Sequence, residues 1–371
     1  MGPLLDVRNL RTTFSSDWGQ KEALDGVSFT VSPREILCIV GESGSGKSVT
    51  ALSLMGLLPR NGKVLNGEAF FEGRDLLKMK ERELDEIRGG DMAMIFQDAI
   101  SSLNPVFTIG NQLIEAVRAH SSVGRKEARE EALGILQRVG LSEPELVLER
   151  YPYALSGGMR QRVMIAMALA GKPKLLIADE PTTALDVTIQ AQIMQLLRSL
   201  CEETDLSVIL ITHDIGLVAQ MADRVIVMYA GQVVEQSDVQ VLFNSPDHPY
   251  TQGLMQAVPS IYDDKARRLV AIPGTVPEHY QDIEGCRFAS RCAYKVDECD
   301  LPQVLSYVAS CESQMNFPHC VRCHRAARGE LPPYGADERC TPVDVVAQIS
   351  QAPAAGELKN ETKGDTNGRR A

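Results

Sequence analysis

The stretch Ile36-Leu-Cys-Ile-Val40, followed at once by Gly41-Glu-Ser-Gly-Ser-Gly-Lys-Ser48, decides how the rest of this chain is read. Five consecutive apolar residues without alternation suit a short strand covered on both faces of a sheet. The octet after them fits G-x-x-x-x-G-K-[ST], and a helical run, Val49–Leu58, follows. Strand, glycine-rich loop and helix in that order make an anion cradle. Gly41, Gly44 and Gly46 let the backbone curl closely around phosphate oxygens, with Ser43, Ser45 and Val49 counted among the binding positions. The helix adds the positive end of its dipole. Lys47 supplies a mobile cation for the β- and γ-phosphates, and the Ser48 hydroxyl is a ligand for Mg²⁺.

Working outward, a second apolar run ends in acids: Leu175-Leu-Ile-Ala-Asp-Glu180. A strand that finishes at Asp179 presents that carboxylate at the carboxyl end of the sheet, where α/β folds bind ligands. Asp179 is then a Mg²⁺ ligand, directly or through water, and Glu180 the group that polarises the attacking water. Alone, two adjacent acids read as a solvated loop; the apolar run before them and the phosphate loop upstream reverse that preference. Further strands are expected at Met92–Phe96, Val208–Thr212 and Arg224–Met228. Residues Val123–Val139 carry a charged, amphipathic pattern that suggests a helical insertion.

Leu155-Ser-Gly-Gly-Met-Arg-Gln-Arg162 narrows the field. It resembles the signature of ATP-binding-cassette (ABC) ATPases, commonly LSGGQ, here with Met159 at the last position, and is similar to the version in peptide-transporter ATPases. Other elements of that family stand in the expected order. Phe96-Gln97-Asp98 with Ser102-Leu-Asn-Pro105 resembles the Q-loop, Ala184-Leu-Asp186 the D-loop, and His213 in Ile211-Thr-His-Asp214 the switch histidine. The fold implied is α/β: a P-loop NTPase of ABC type over residues 4–260, with an α-helical subdomain at about 100–170.

The resemblance also implies roles. Ser156, Gly157 and Gly158 open a helix running through Met159–Ala170, whose N-terminus would meet ATP held by a second subunit. Asp186 joins that shared interface. Gln97 becomes a contact to Mg²⁺ and water and a relay to membrane subunits, and His213 a γ-phosphate sensor, although a histidine at a strand end is equally well a satisfied structural group. An aromatic side chain upstream of the loop stacks on adenine: Phe14 fits best, Trp18 is its rival, and a core role for Phe14 stays open.

Beyond about Asn244 the texture changes. Pro246, Pro249, Pro259, Pro273 and Pro277 interrupt regular structure, and seven of the nine cysteines lie between Cys286 and Cys340. The approach, His248-Pro-Tyr-Thr251 and Ile272-Pro-Gly-Thr275, and the order Gly285-Cys-Arg-Phe288, Arg291-Cys292, Glu298-Cys299, Cys323-His324 resemble the C-terminal region of oligopeptide, dipeptide and nickel importer ATPases. This region, 261–345, is expected as a small cysteine-rich extension, with a disordered polar tail at 346–371. The resemblance implies a [4Fe–4S] cluster on Cys286, Cys292, Cys299 and Cys323. Four thiolates suit iron–sulfur or zinc, and the spacing Cys320-Val-Arg-Cys323 keeps zinc, and Cys320 as a competing ligand, open.

Composition limits the function classes. A formal charge of −11 argues against nucleic-acid binding as the main work. The start, Met1-Gly-Pro-Leu-Leu, has no basic segment ahead of an apolar one, and no apolar run is long enough to span a bilayer. The expectation is a peripheral protein on the cytoplasmic face of the inner membrane. The resemblance supplies its partners: a second ABC ATPase, as heterodimer or homodimer, two integral-membrane permeases and an extracytoplasmic solute-binding protein. Di- and oligopeptides lead as cargo, with nickel and oligosaccharides open.

Overall fold

The computed structural model describes residues 2–17, 19–97, 102–183, 185–257, 271–308 and 317–334. Trp18, Asp98, Ala184, Cys311, Cys340 and the 346–371 tail lie outside the described residues. In chain order the strands are β1 (Leu5–Ser16), β2 (Gly19–Val31), β3 (Ile36–Val40), β4 (Gly62–Phe71), β5 (Arg74–Asp75), β6 (Met92–Ile95), β7 (Leu175–Asp179), β8 (Ser207–Thr212), β9 (Arg224–Tyr229), β10 (Gln232–Asp238), β11 (Ser306–Tyr307) and β12 (Cys320–Val321).

They form two sheets. An antiparallel one runs β2-β1-β4-β5, and the central one runs β11-β12-β10-β9-β3-β8-β7-β6. Within the central sheet β9, β3, β8, β7 and β6 are mutually parallel, while β10, β12 and β11 add on antiparallel. The apolar runs fail to alternate because both faces are covered. Ile36, Cys38 and Val40 of β3, with Leu176 and Ala178 of β7, belong to one core, shared with the helices. Leu37 and Ile39, with Leu175 and Ile177, belong to the other, shared with the antiparallel sheet. Each such strand serves two cores, so its interior residues are apolar and a polar group such as Asp179 falls only at its end.

All the strands expected from the sequence are present. The helix after the phosphate loop is displaced: it spans Lys47–Leu54, against the expected Val49–Leu58. It stops early because Gly56 turns left-handed at φ 62°, and the Leu57 N–H then reaches back to the Leu52 carbonyl at 2.9 Å. Helices Ile109–Ala119, Arg125–Arg138, Pro144–Glu149 and Gly157–Leu169 occupy the interval expected to be helical. No helix among the described residues is long and apolar enough to cross a membrane.

The segment from residue 271 to 334 is built differently. Two-residue strands and single helical turns replace long elements, and its own small core holds Val308, Val321 and Ala326. Its attachment combines pairing of β12 on β10, burial of Tyr280 and Phe288 in the helix-side core, and charged ties: Arg287 donates to the Ala230 carbonyl and pairs with Asp25 at 2.7 Å, and Arg322 donates to the Val233 carbonyl.

Candidate functional site

Parallel strands β3, β8, β7 and β6 are neighbours, so the residues that follow each of them emerge along one edge of the sheet. β3 delivers the loop Gly41–Gly46, β8 delivers His213, β7 ends in Asp179 with Glu180 next, and β6 leads through Phe96 to Gln97. The loop is packed against β9. At Gly41 (φ 152°) a Cβ would stand 2.1 Å from the Met228 carbonyl oxygen, and at Gly46 (φ 103°) 2.7 Å from Leu24, so glycine is required at both. Ser43 and Gly44 face solvent, Ser45 is buried, and Val49 is half-buried in the first turn of the helix. The buried Lys47 ammonium donates to the carbonyls of Gly41 and Glu42 at 2.7 and 2.9 Å. Burial pushes Lys47 down, opposed by the charges of Glu180, Asp179 and Glu42.

Ser48 Oγ donates to Asp179 Oδ1 at 3.0 Å. Two oxygens at that separation can both ligate one Mg²⁺, whose adjacent ligands in an octahedron stand about 2.9 Å apart. Burial pushes the Asp179 carboxyl up, with Glu180 adding to the effect, while Ser48 and Lys47 oppose it. A divalent cation would relieve this.

Glu180 is where the group converges. Gln97 Nε2 and Thr183 Oγ1 each lie 2.9 Å from its Oε2, and His213 Nδ1 lies 3.1 Å from its Oε1. Burial alone would raise this carboxyl, but the hydrogen bonds from His213 and Thr183, and the charges of His213 and Lys47, outweigh it and hold Glu180 below the usual carboxylate range. Its backbone sits at φ 46°, a left-handed conformation unusual for glutamate and of the kind that collects at functional sites. No local pattern in the sequence announced that strain.

The remaining nucleotide residues stand elsewhere. Ser156 caps the helix Gly157–Leu169, accepting from the Met159 N–H, and Asp186 caps Val187–Glu203, accepting from the Ile189 N–H. A Cβ on Gly158 would meet Ile189 at 2.8 Å, so the two capped ends pack together. Among the described residues, no hydrogen bond joins Ser156 or Asp186 to the group around Glu180. Phe14 is half-buried on β1, paired with Lys21 and Gly62, on the hairpin whose Ala23 and Leu24 abut Gly46.

Four cysteines gather in the C-terminal segment. The Cys286 thiol feels Cys323, Cys292 and Cys299, while Cys292 and Cys323 each feel Cys299. Burial pushes Cys286 up to about 12 and Cys292 up to about 11, so a ligand that holds thiolates would have much to offset. Cys320 is also raised by burial, but its named partner is Gln236, not the other thiols. In donor type Cys286, Cys292, Cys299 and Cys323 suit four-thiolate ligation, and among the described residues no three of their sulfurs stand within 4.8 Å of one another. Glu235, Asp247 and His319 also stand within 4.8 Å of one another, spaced as metal ligands are. Yet Glu235 already accepts the N–H groups of Asp247 and His248, and His319 Nε2 lies 2.8 Å from its Oε1, so this group is a structural tie.

Sequence reasoning missed the link between this segment and the phosphate loop. The Arg291 guanidinium pairs with the Glu42 carboxylate, and the Tyr250 hydroxyl accepts the Glu42 N–H at 2.9 Å. His248-Pro-Tyr-Thr251 and Arg291-Cys292 marked these positions without a purpose, since partners 249 residues apart leave no local pattern.

Comparison with known proteins agrees with this geometry. The ABC transporter family matches residues 24–183, and the family described as oligopeptide/dipeptide transporter, C-terminal region, matches residues 234–299. The oligopeptide transport ATP-binding protein AppD of Bacillus subtilis is 50% identical over 310 residues, 83% of this chain and 94% of the relative. The dipeptide transport ATP-binding protein DppD of Escherichia coli is 48% identical over 296 residues, 80% of this chain and 90% of the relative. Among solved structures, the dimeric ATP-binding cassette MJ0796 in a post-hydrolysis state with ADP and phosphate has a TM-score of 0.57. It is 30% identical and covers 63% of this chain and 98% of its own. With the strand-end site and these relatives together, the chain belongs to the ATP-binding subunits of ABC transporters, in the group that carries the oligopeptide/dipeptide C-terminal region.

Proposed function

We propose that the chain is the ATP-hydrolysing subunit of an importer for di- and oligopeptides, with Glu180 activating the attacking water. The observation that carries the reading is the convergence of Gln97, Thr183 and His213 on one carboxylate, beside Lys47 and the Ser48–Asp179 pair. The relatives' names, oligopeptide and dipeptide transport, support peptides as cargo over nickel or oligosaccharides.

The chain's residues divide the work. Lys47 turns from its carbonyl partners to the β- and γ-phosphates, while the N–H groups of Ser43 to Val49 face the phosphate oxygens. Ser48 and Asp179 would hold Mg²⁺, with Gln97 beside them, and the ion would neutralise phosphate charge. Glu180, kept ionised by His213 and Thr183, orients and polarises water, and His213 reports the γ-phosphate. Phe14 offers a face to adenine from the hairpin above the loop. Ser156, Gly157, Gly158 and Asp186 act on nucleotide held by another subunit. The dimeric solved relative supports a two-subunit working unit, with a companion ATPase as the partner.

A division into a cassette at 4–260 and a cysteine-rich segment at 261–345 is supported by the short elements beyond residue 271, while the C-terminal-region family match begins earlier, at residue 234. Cys286, Cys292, Cys299 and Cys323 would hold a [4Fe–4S] cluster, which would cross-link a segment with little core of its own. Single zinc coordination needs sulfurs about 3.8 Å apart. Among the described residues no three of these sulfurs lie within 4.8 Å of one another, so the cluster reading is supported by four cysteines gathered in one segment and not by a formed ligand cage. Exposed Val106, Phe107, Tyr151 and Tyr153 lie where the chain around Ile109 bonds to Arg150, and they support docking onto membrane permeases at the cytoplasmic face.

Replacing Glu180 by Gln tests the reading. ATP binding should persist, turnover should fall by about 10²-fold or more, and an ATP-bound dimer should accumulate on sizing columns. Turnover near that of the parent would remove Glu180 from catalysis.

A further inference from the structure

Glutamate at the second position of a phosphate cradle is an electrostatic problem. Its carboxylate adds negative charge to a loop that must receive a triphosphate, and the charge is felt by the Lys47 ammonium. The Glu42 side chain is held by a guanidinium from the cysteine-rich segment: Arg291 Nη1 donates to Oε2 at 2.9 Å and Nη2 to Oε1 at 3.1 Å. The Arg291 side chain is only 5% exposed.

Every donor of that guanidinium has a use. Nε donates to the Pro273 carbonyl at 2.8 Å, Nη1 also reaches the Tyr229 hydroxyl at 3.3 Å, and Nη2 the Gly274 carbonyl at 3.3 Å. Five N–H groups meet five acceptors, so the fork has one orientation. Tyr229 and Phe288 lie 5.7 and 5.8 Å away with their rings towards it. Glu42 is fixed from the other side too. Its N–H is taken by the Tyr250 hydroxyl and its carbonyl accepts from Lys47. One residue of the loop is thus gripped at side chain, amide and carbonyl, and two of the three grips come from outside the cradle.

We propose that Arg291 is a positioning residue for nucleotide binding: it neutralises Glu42 and fixes the orientation of the Glu42 peptide, which makes ATP affinity depend on the docked cysteine-rich segment. The proposal rests on the reading of Gly41–Ser48 as the triphosphate site. Bidentate pairing sets both charge and geometry, and loss of the guanidinium leaves an unpaired carboxylate beside the bound phosphates.

The test is a double-mutant cycle on the full-length chain, titrated with a fluorescent ATP analogue and Mg²⁺, with ATPase KM and kcat measured in parallel. Arg291→Met should weaken binding and raise KM by about tenfold, with a far smaller change in kcat. Adding Glu42→Gln to Arg291→Met should restore affinity to within about threefold of the parent, because the repulsive charge is gone. Arg291→Lys, which keeps the charge without the paired geometry, should fall between the parent and Arg291→Met. Unchanged affinity in Arg291→Met, or no recovery on adding Glu42→Gln, would overturn the proposal. If Arg291→Met does not fold, the double variant and Arg291→Lys are compared with the parent. Affinity in the double variant as poor as in a Lys47→Ala control would then overturn it. That control also separates the two readings: if Lys47→Ala binds ATP normally, the triphosphate site itself is misassigned.

Discussion

The nucleotide edge and the cysteine-rich segment are held in place by different balances of forces, although Tyr280 and Phe288 of the segment also reach the main core. At the nucleotide edge, side chains inherit their positions from a parallel sheet in which β3 is bonded to β8 over its whole length and to β9 from Leu37 to Val40, and every residue of β3 and β7 is buried. In the segment beyond residue 271, strands are two residues long and arginines clasp carbonyls at a distance: Arg287 on Ala230, Arg291 on Pro273, Arg322 on Val233. Apolar burial is non-directional and tolerates exchange of similar side chains. A guanidinium fully used by five acceptors tolerates none. The difference teaches where each region is vulnerable: the edge to loss of a charge that meets ligand, the segment to loss of a tie that meets protein.

The largest effect should come from the edge. Lys47→Ala removes the buried cation while leaving both cores intact, since the ammonium bonds only to loop oxygens. Removing one partner of a desolvated charge pair costs about 2–5 kcal/mol, so ATP affinity should drop at least about 30-fold. Thermal unfolding should stay close to that of the parent. Calorimetric titration with Mg·ATP and a melting curve check both halves. A large fall in melting temperature would break the comparison, because Lys47 would then be serving the fold.

For the segment, a cysteine should matter more than an arginine. Under the proposed ligation, Cys323→Ser should cost the segment its cluster and loosen it to protease, with nucleotide-edge peptides still protected. Metal analysis of Cys323→Ser beside Cys320→Ser sharpens the assignment, since Cys320 faces Gln236 on β10 and should retain metal when substituted. Metal lost from Cys320→Ser and kept in Cys323→Ser would exchange the two roles. Iron with sulfide, as opposed to zinc, is the expected content.

The same contrast explains what could be read from the residues alone. β3, β7 and β8 were legible because strands covered on both sides are apolar through their interiors, and the polar residue that ends such a run stands at the functional edge. Asp179, Glu180 and the Gly41–Ser48 loop were found this way, whereas His213 needed the family resemblance, because a histidine at a strand end reads equally well as a structural group. The pairings of Arg291 with Glu42 and of His319 with Glu235 join residues 249 and 84 positions apart. Neither partner is unusual locally: an arginine beside a cysteine or a histidine after a proline has no period and no neighbour to betray it. Two-residue strands such as β11 and β12 carry no alternation to detect. The left-handed backbone of Glu180, whose N–H bonds to the Ile211 carbonyl on the neighbouring strand at 2.9 Å, leaves no trace in the residue pattern.

The smallest effect is a pH response at the other end of the segment. His319, on entry to β12, is buried between Glu235 at 2.8 Å and Asp247 at 3.4 Å. Burial alone would lower the imidazole, but the hydrogen bond and charge of Glu235, with the charge of Asp247, raise it above its ordinary value. Burial, reinforced by Glu235, pushes the Asp247 carboxyl up to about 6. The neighbouring His248 is pushed down to about 4 by its complete burial and stays neutral across the same range. For both raised groups the folded state binds protons that the unfolded state has released. The stability from His319 is complete below its ordinary value near 6.5 and is lost as pH rises through the folded value. The contribution of Asp247 falls in the same direction between its ordinary value near 3.8 and about 6. The tie should thus weaken as solutions become more alkaline, contrary to the usual behaviour of a salt bridge anchored by a depressed carboxylate. The Val308 N–H, bonded to the His319 carbonyl at 3.0 Å, is the local reporter. Its hydrogen-exchange protection, corrected for intrinsic rate, should decline from pH 6 towards pH 8, while amides of β3 stay protected. His319→Gln, which cannot ionise, should flatten that decline. Protection that rises with pH would reverse the sign assigned to this tie.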